Sequence, residues 1–432
     1  MTVTHQTYRD TLAAELLPAM GCTEPIALAY AAAVAGARLG GFPETMDAEV
    51  SRNIVKNVKS VIVPNTGGLY GIEAAVIAGF VSRRPEAELE VLAAVTPEEC
   101  EEIGRRVKAG GLVIRQTDEP DVFFIRVTGE SEGKTVSVTI RTFHTNITEI
   151  VEDGRVVFTK EAEHVCHDED TIDEAWSIKE LIRVARTMAF GSLKPFLIRQ
   201  MKCNMAIAKE GLSGKWGATI GNIILARDPK DPAVRARAWA AAGSDARMNG
   251  CEMPVVIVSG SGNQGITASV PVVIFGEALE KSEEETLRAL LLSDLVTVAL
   301  KQGIGKLSAY CGAVSAGCGS GAGIALLKGF DDTEIESVIS NALAITSGLL
   351  CDGAKSSCAA KISMAVEGAL IAVDMVGNDK VFREGDGIVQ ENADETAAAV
   401  GRIASLGMVD TDRQIICEML HEKRTADKDA EN

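Results

Sequence analysis

Apolar and polar positions alternate along this chain with two different periods, and the change of period divides it. Residues 5 to 20 place Leu12, Leu16 and Leu17 on one side of a helix that Pro18 and Gly21 end. Thr23 then offers an N-cap and Pro25 a first turn for a second helix, IALAYAAAVAGARLG, which stops at Gly40-Gly41. From Phe42 to Lys160 the period falls to two: LEVLAAV (89–95), LVIRQ (112–116), VFFIRVTG (122–129), KTVSVTIRT (134–142) and RVVFTK (155–160) read as strands. Glu152-Asp153-Gly154 makes a hairpin turn, and a capping box at Thr96-Pro97-Glu98-Glu99 inserts one helix that ends at Ala109-Gly110-Gly111. Beyond the acidic loop EHVCHDEDTIDE (163–174) the helical period returns and persists.

Start signals mark the later helices. They are Ser177 with Glu180, Ser192 for a helix closing at Gly211, Asp231-Pro232, Ser282 with Glu285 for a helix through Lys301, and Thr333 with Glu336. Cys358 opens CAAKISMAVEGALIAVDM, apolar on most sides and so expected to be buried. The expected fold class is α+β, a large all-helical domain (170–425) beside a smaller, mostly antiparallel α+β domain (42–160). The N-terminal helix pair (1–41) is expected to pack on the helical domain.

Those cysteines lie in the stretch from Tyr310 to Ala359, which contains Cys311, Cys318, Cys351 and Cys358. On one unbroken helix, Cys351 and Cys358 would stand about 10 Å apart. Asp352-Gly353 stops the helix and Ser356-Ser357 can cap a new one, which lets both thiols turn to one site. Zinc and iron–sulfur both suit thiolates. Structural zinc favours tight C-x2-4-C pairs, absent from this stretch, whereas dispersed cysteines fit a cluster caged in a core. Three ligands would leave one iron open as a Lewis acid. The plainer alternative is a set of buried structural thiols. Cys22, just before a helix N-terminus, is placed to have its thiol pKa lowered, or is a small residue in a helix corner.

Two glycine-rich loops are candidate ligand cradles. VPNTGG (63–68) could offer backbone amides at Asn65, Thr66 and Gly67 to a carboxylate, or be a plain turn. VVIVSGSGNQG (255–265) carries G-x-G-x-x-G at Gly260, Gly262 and Gly265. A dinucleotide fold requires a helix to follow, and the β-branched run from Ile266 to Pro271 argues against one. The loop is therefore read as amides plus Ser261 and Asn263 facing a small polar ligand, or as a buried turn.

Composition narrows the setting. A chain of 432 residues can bury a large core in two domains or three. A net charge of −18 argues against nucleic acid and anionic membrane as partners. The best apolar run, Pro25 to Ala37, stops at Arg38, too short for a membrane span. Ten cysteines without a basic-then-apolar leader read as reduced thiols in the cytoplasm. The acidic C-terminal tail reads as solvated, and the assembly expected, if any, is a homodimer.

GCTEP (21–25), HTNI (144–147), EGLSGKWG (210–217), SDARM (244–248), SGSGNQGITASVP (259–271) and GLLCDGAKSSC (348–358) together resemble the L-cysteine desulfidase family, which is related to the iron–sulfur L-serine dehydratase α chain. The resemblance spans nearly the whole chain in the same order. It implies an oxygen-sensitive 4Fe–4S cluster on Cys311, Cys351 and Cys358, a catalytic Cys22, and cleavage of L-cysteine to pyruvate, ammonia and sulfide. Cys318 matches no family ligand and is read as a core thiol. The family's V-P-G-T-G loop here has Asn65 in place of the glycine, preceded by KNVKSV. An L-serine dehydratase is the alternative within enzymes; those relatives bring a late cysteine to the cluster, and the last one here, Cys417, lies in a helix-like stretch. A non-catalytic iron–sulfur or zinc-binding sensor is the alternative of another class.

Overall fold

The structure is a computed structural model and describes residues 5–117, 119, 121–161, 176–305 and 307–420. The acidic loop 163–174 and the tail lie outside the described residues. The chain begins with α1 (His5–Glu15), β1 (Pro18–Ala19) and α2 (Thr23–Leu39), followed by β2 (Thr45–Val50), α3 (Arg52–Val58) and α4 (Gly71–Ser82). Next come α5 (Pro97–Ala109), β3 (Leu112–Gln116), β4 (Phe124–Ser131), β5 (Lys134–Arg141), β6 (Ile147–Glu152) and β7 (Arg155–Thr159). The helical part contains α6 (Ile178–Thr187), α7 (Lys194–Gly211), α8 (Ile220–Leu225), α9 (Pro232–Met248), β8 (Val255–Val256), α10 (Gly262–Ala278) and α11 (Glu283–Ile304). It ends with α12 (Gly312–Leu327), α13 (Asp332–Thr346), α14 (Cys358–Val376), α15 (Ala393–Arg402) and α16 (Val409–Leu420). The fold is α+β with a large helical part, and no described helix is long and apolar enough to cross a membrane.

The six-stranded sheet runs β3-β2-β4-β5-β6-β7, antiparallel throughout except for the parallel pair β2–β3. Alternating burial along β4 and β5 matches the period-two pattern, with Ile125, Val127, Val136 and Val138 turned to the core. Asp153 and Gly154 take positive φ in the β6–β7 hairpin. The apolar run 89–95 is not a strand. A short 3-10 turn over Pro85–Glu90 leads into it, and the carbonyl of Leu92 is taken by Asn65 Nδ2 at 2.8 Å, so a side chain occupies what a ladder would need.

The N-terminal helix pair divides between the two parts, contrary to the expectation that both helices pack on the helical part. Helix α2 lies on α4 and across β4 and β5, because its alanine-rich surface is apolar all round and fits the sheet face. The preceding segment holds to the helical part instead. Tyr8 stacks edge-on with Trp176 at 5.2 Å, and Pro18-Ala19 pair with Val255-Val256. That small ladder also interrupts the helical part, which is therefore not purely helical.

In the helical part, α12 sits between α11 and α14, and glycine makes the close approach necessary. A Cβ on Gly319 would lie 2.4 Å from the carbonyl oxygen of Ser293 on α11, and one on Gly317 would lie 2.8 Å from that of Ala365 on α14. The run Ile266–Pro271 is helical after all: α10 continues through Pro271, buried along nearly its whole length. Thr267 and Ser269 bond back to the carbonyls of Asn263 and Gly265, and packing outweighs the β-branched and proline penalties. The helix that a dinucleotide site needs is present, but the strand before it, β8, is a two-residue strand paired antiparallel with β1 rather than part of a parallel sheet. Some caps shift by a residue or two. Asp331 with Glu334, not Thr333 with Glu336, closes the box on α13; Leu193, not Ser192, caps α7; and Cys22, not Thr23, occupies the N-cap of α2.

Candidate functional site

The site forms where the two parts meet, and each wall has a local cause. Gly21, at φ 57°, turns the chain into α2 so tightly that a Cβ would sit 2.3 Å from Pro64 Cγ. The turn leaves Cys22 at the N-cap and Glu24 in the first turn, both buried. Thr23 Oγ1 donates to the carbonyl of Gly260 at 2.9 Å, tying this corner to the glycine loop ahead of α10. The late cysteines are brought together by an antiparallel bridge between Tyr310 and Leu350. The Cys311 amide donates to Leu349 O (3.1 Å) and the Cys351 amide to Ala309 O (2.6 Å). Gly353, at φ 90°, then presses the Cys351–Cys358 turn onto α3; a Cβ there would be 2.4 Å from the carbonyl oxygen of Lys56.

These elements enclose a cavity of about 100 Å³. Cys22, Cys311, Cys351 and Cys358 all line it, as do Ser261 and Asn263 at the start of α10. Cys318 does not; it is fully buried midway along α12. Asn65, Thr66 and Gly67 do not line it either. Asn65 is spent on Leu92, Thr66 Oγ1 donates to Val63 O at 2.7 Å within its own turn, and Gly67 faces Cys100. Their loop buttresses Gly21 through Pro64.

The cavity walls are strongly charged. Glu24 Oε2 accepts from the Cys22 thiol at 2.9 Å, while Oε1 accepts from Asn57 Nδ2 at 3.1 Å. Burial pushes the Glu24 carboxyl up, but His144, the Cys22 hydrogen bond and Arg247 outweigh it and hold its pKa below the usual carboxylate range. Burial, reinforced by Glu24, drives the Cys22 thiol well above its ordinary value. The lowered thiol pKa expected from the helix N-terminus is therefore not found, because a buried position beside a carboxylate disfavours thiolate more than the dipole favours it. Burial and the charges of Cys351 and Cys358 push the Cys311 thiol up to about 12, and burial raises Cys358 despite its place at the start of α14. Lys361 reaches over the cysteine turn, donating to Leu350 O at 2.9 Å and pairing with Asp352. Lys56 is buried against Asp412 of α16.

Among the described residues, no three His, Cys, Asp or Glu side chains converge tightly enough to chelate a single ion. One zinc would need every sulfur about 2.3 Å from it. The three late thiols instead stand around one cavity and repel one another as anions. That donor set fits a group with several metal corners, each taking one thiolate.

Glu24, Asn57, Arg247 and Gln264 were not singled out from the sequence, although each lies in a stretch quoted there: GCTEP, KNVKSV, SDARM and SGSGNQG. The signal was present as motif membership; what each side chain faces was not.

The family model described as "Serine dehydratase alpha chain" matches residues 86–417. A UPF0597 protein of Desulfitobacterium hafniense is 44% identical over 418 residues, covering 97% of each chain. One from Lachnoclostridium phytofermentans is 45% identical over 415 residues, covering 95% of this chain and 99% of the relative. One from Treponema denticola is 39% identical over 426 residues, covering 96% and 98%.

Proposed function

The chain belongs to the serine dehydratase alpha chain family, and from that premise we propose that it is a lyase carrying out an iron–sulfur-dependent α,β-elimination on L-cysteine, giving pyruvate, ammonia and hydrogen sulfide. The observation that carries this reading is the meeting of Cys22 with Cys311, Cys351 and Cys358 around one cavity. The three late thiols would hold a 4Fe–4S cluster, which when bound supplies an iron without a protein ligand, a Lewis acid for the leaving heteroatom.

The rest of the chemistry falls to side chains. Cys22 reacts as its thiolate, the form that Arg247 favours, and takes the α-proton of the substrate. The C–H electron pair forms the Cα–Cβ double bond as the Cβ–S bond breaks, and the departing hydrosulfide takes that proton from Cys22. Cys22 returns to the thiolate, and Glu24 stays charged throughout. Aminoacrylate then leaves and hydrolyses to pyruvate and ammonia. The described cysteines are all unpaired, which supports a reducing, cytoplasmic setting.

The description of the matching family model favours a second reading, L-serine dehydratase, with hydroxide as leaving group. Against it, Cys417 on α16 does not line the cavity. The test is anaerobic purification, analysis for iron and acid-labile sulfide, and assay of pyruvate and sulfide. Equal release from L-cysteine, abolished by air, is expected. A higher kcat/KM with L-serine moves the protein to the dehydratase reading. Zinc in place of iron and labile sulfide would sink both.

A further inference from the structure

Two buried charges of opposite sign line the cavity without meeting. Arg247 is 2% exposed and Glu24 8%, yet no ion pair joins them among the described residues, although each lies within the other's field. Desolvated opposite charges normally pair, because direct contact is what offsets their burial. When they stand apart across a cavity, a ligand carrying both signs can complete both.

The hydrogen-bond inventory gives the same picture. The Arg247 guanidinium has five donors, and its buried Nε has no partner. It lies against Gly262, where a Cβ would be 2.4 Å from that nitrogen, beside the N-terminal amides of α10. Those amides add partial positive charge at the same end. Glu24 accepts from Cys22 and Asn57, filling two of about four lone-pair sites. Asn57 Oδ1 and Gln264 Oε1 are buried without hydrogen-bond partners and also belong to cavity-lining residues. The walls of one cavity thus have donors to spare at Arg247 and acceptors to spare at Glu24, Asn57 and Gln264.

We propose that the cavity is a clamp for a free α-amino acid in its zwitterionic form. Arg247 and the start of α10 take the α-carboxylate. Glu24, Asn57 Oδ1 and Gln264 Oε1 take the α-ammonium. The clamp rests on the elimination reading for the choice of amino acid, and adds that both ends must be ionised and unsubstituted. Peptides, N-acyl amino acids and amino-acid amides are excluded. Because Cys22 is hydrogen-bonded to Glu24, an ammonium held there brings the carbon that bears it, and its proton, next to the thiol.

Three non-eliminating probes test this on the anaerobic, iron-loaded full chain by titration calorimetry. They are L-alanine, L-alaninamide (no carboxylate) and N-acetyl-L-alanine (no ammonium). L-Alanine should bind about 30-fold or more tighter than either of the others, the scale of leaving one buried charge unpaired. Arg247→Gln should weaken L-alanine and close its gap to L-alaninamide, whereas Glu24→Gln should close its gap to N-acetyl-L-alanine. Arg247→Lys, which keeps the charge, should retain the preference for L-alanine over the amide and serves if the glutamine variant does not fold. Equal binding of the three probes by the parent protein, or loss of affinity for all three in the same proportion in both variants, would overturn the clamp. A parent protein that prefers L-alanine but releases no product from L-cysteine or L-serine keeps the clamp and sinks the elimination reading. One that eliminates but binds the amide equally well sinks the clamp alone.

Discussion

Cys22 is pulled two ways. An N-cap position stabilises a thiolate through the amides and dipole of the helix it begins. Burial and the Glu24 carboxylate oppose this, and they win, so the resting group is a thiol donating to Oε2. Action as a base therefore needs the thiolate, which Arg247 favours and the charged Glu24 disfavours. Cys22→Ser preserves the size and the hydrogen bond but not the tunable acidity. It should keep its iron and labile sulfide and lose roughly 10²-fold in kcat, the scale of a missing general base. Iron loss in that variant would instead make Cys22 a ligand. The late cysteines should divide differently. Serine at 311, 351 or 358 should strip most of the iron and the brown colour, because each thiol lines the cavity, whereas Cys318→Ser should leave both intact. Iron analysis of the four variants is the check, and equal loss at Cys318 would overturn the assignment.

At the scale of elements, the site depends on short turns pressed against helices from the other part. The Cys351–Cys358 turn meets α3 through Gly353, at φ 90° with the Lys56 carbonyl 2.4 Å from where a Cβ would be. Alanine there is strained by its backbone conformation and cannot push a carbonyl aside cheaply. Gly353→Ala should lower Tm, with a cost of about 1 kcal/mol or more, and should speed iron loss to a chelator. Gly348→Ala, in the same stretch but with open space around its Cβ, should do neither. Unchanged iron retention at Gly353 would show that the turn holds its shape without α3. What could be read from the sequence follows the same division between local and distant causes. The boxes at Thr96–Glu99 and Ser282–Glu285 and the caps at Ser177 and Asp231 were legible because donor and acceptor lie within a few residues. The runs 89–95 and 266–271 were misread because their fate is set by Asn65 and by a buried helical environment, both distant in sequence. In the site, the cysteines, Ser261 and Asn263 stood out by residue type. The importance of Glu24 and Arg247 comes from lining one cavity as buried charges of opposite sign, and local patterning does not contain that.

On the scale of the whole molecule, the helical part carries a buried charge problem that should show in its stability. Asp294 on α11 is completely buried and held only by Gln200 of α7, whose Nε2 donates to Oδ1 at 2.8 Å; Oδ2 has no partner. Burial raises its pKa from 3.8 to about 8, with the Gln200 hydrogen bond opposing the shift only in part. The folded chain therefore keeps a proton on Asp294 that the unfolded chain releases near its ordinary value. Between those two pKa values the native state binds more protons, so stability falls as pH rises. The contribution is full below the unfolded pKa, declines by at most about 1.4 kcal/mol per pH unit, and levels off above about pH 8. Paired carboxylates such as Glu99 with Arg84, whose folded pKa is lowered, act in the opposite sense at acid pH. Burial also raises Asp245 to about 6, which adds a loss of the same sign up to that pH, so the window from about pH 6 to 8 is the one in which Asp294 is compared. Asp294→Asn keeps the shape and an acceptor for Gln200 but cannot ionise. Its Tm should fall less than that of the parent over this window, and should exceed the parent's most at pH 8. Parallel Tm curves for the two proteins would show that Asp294 ionises at little cost in the folded state.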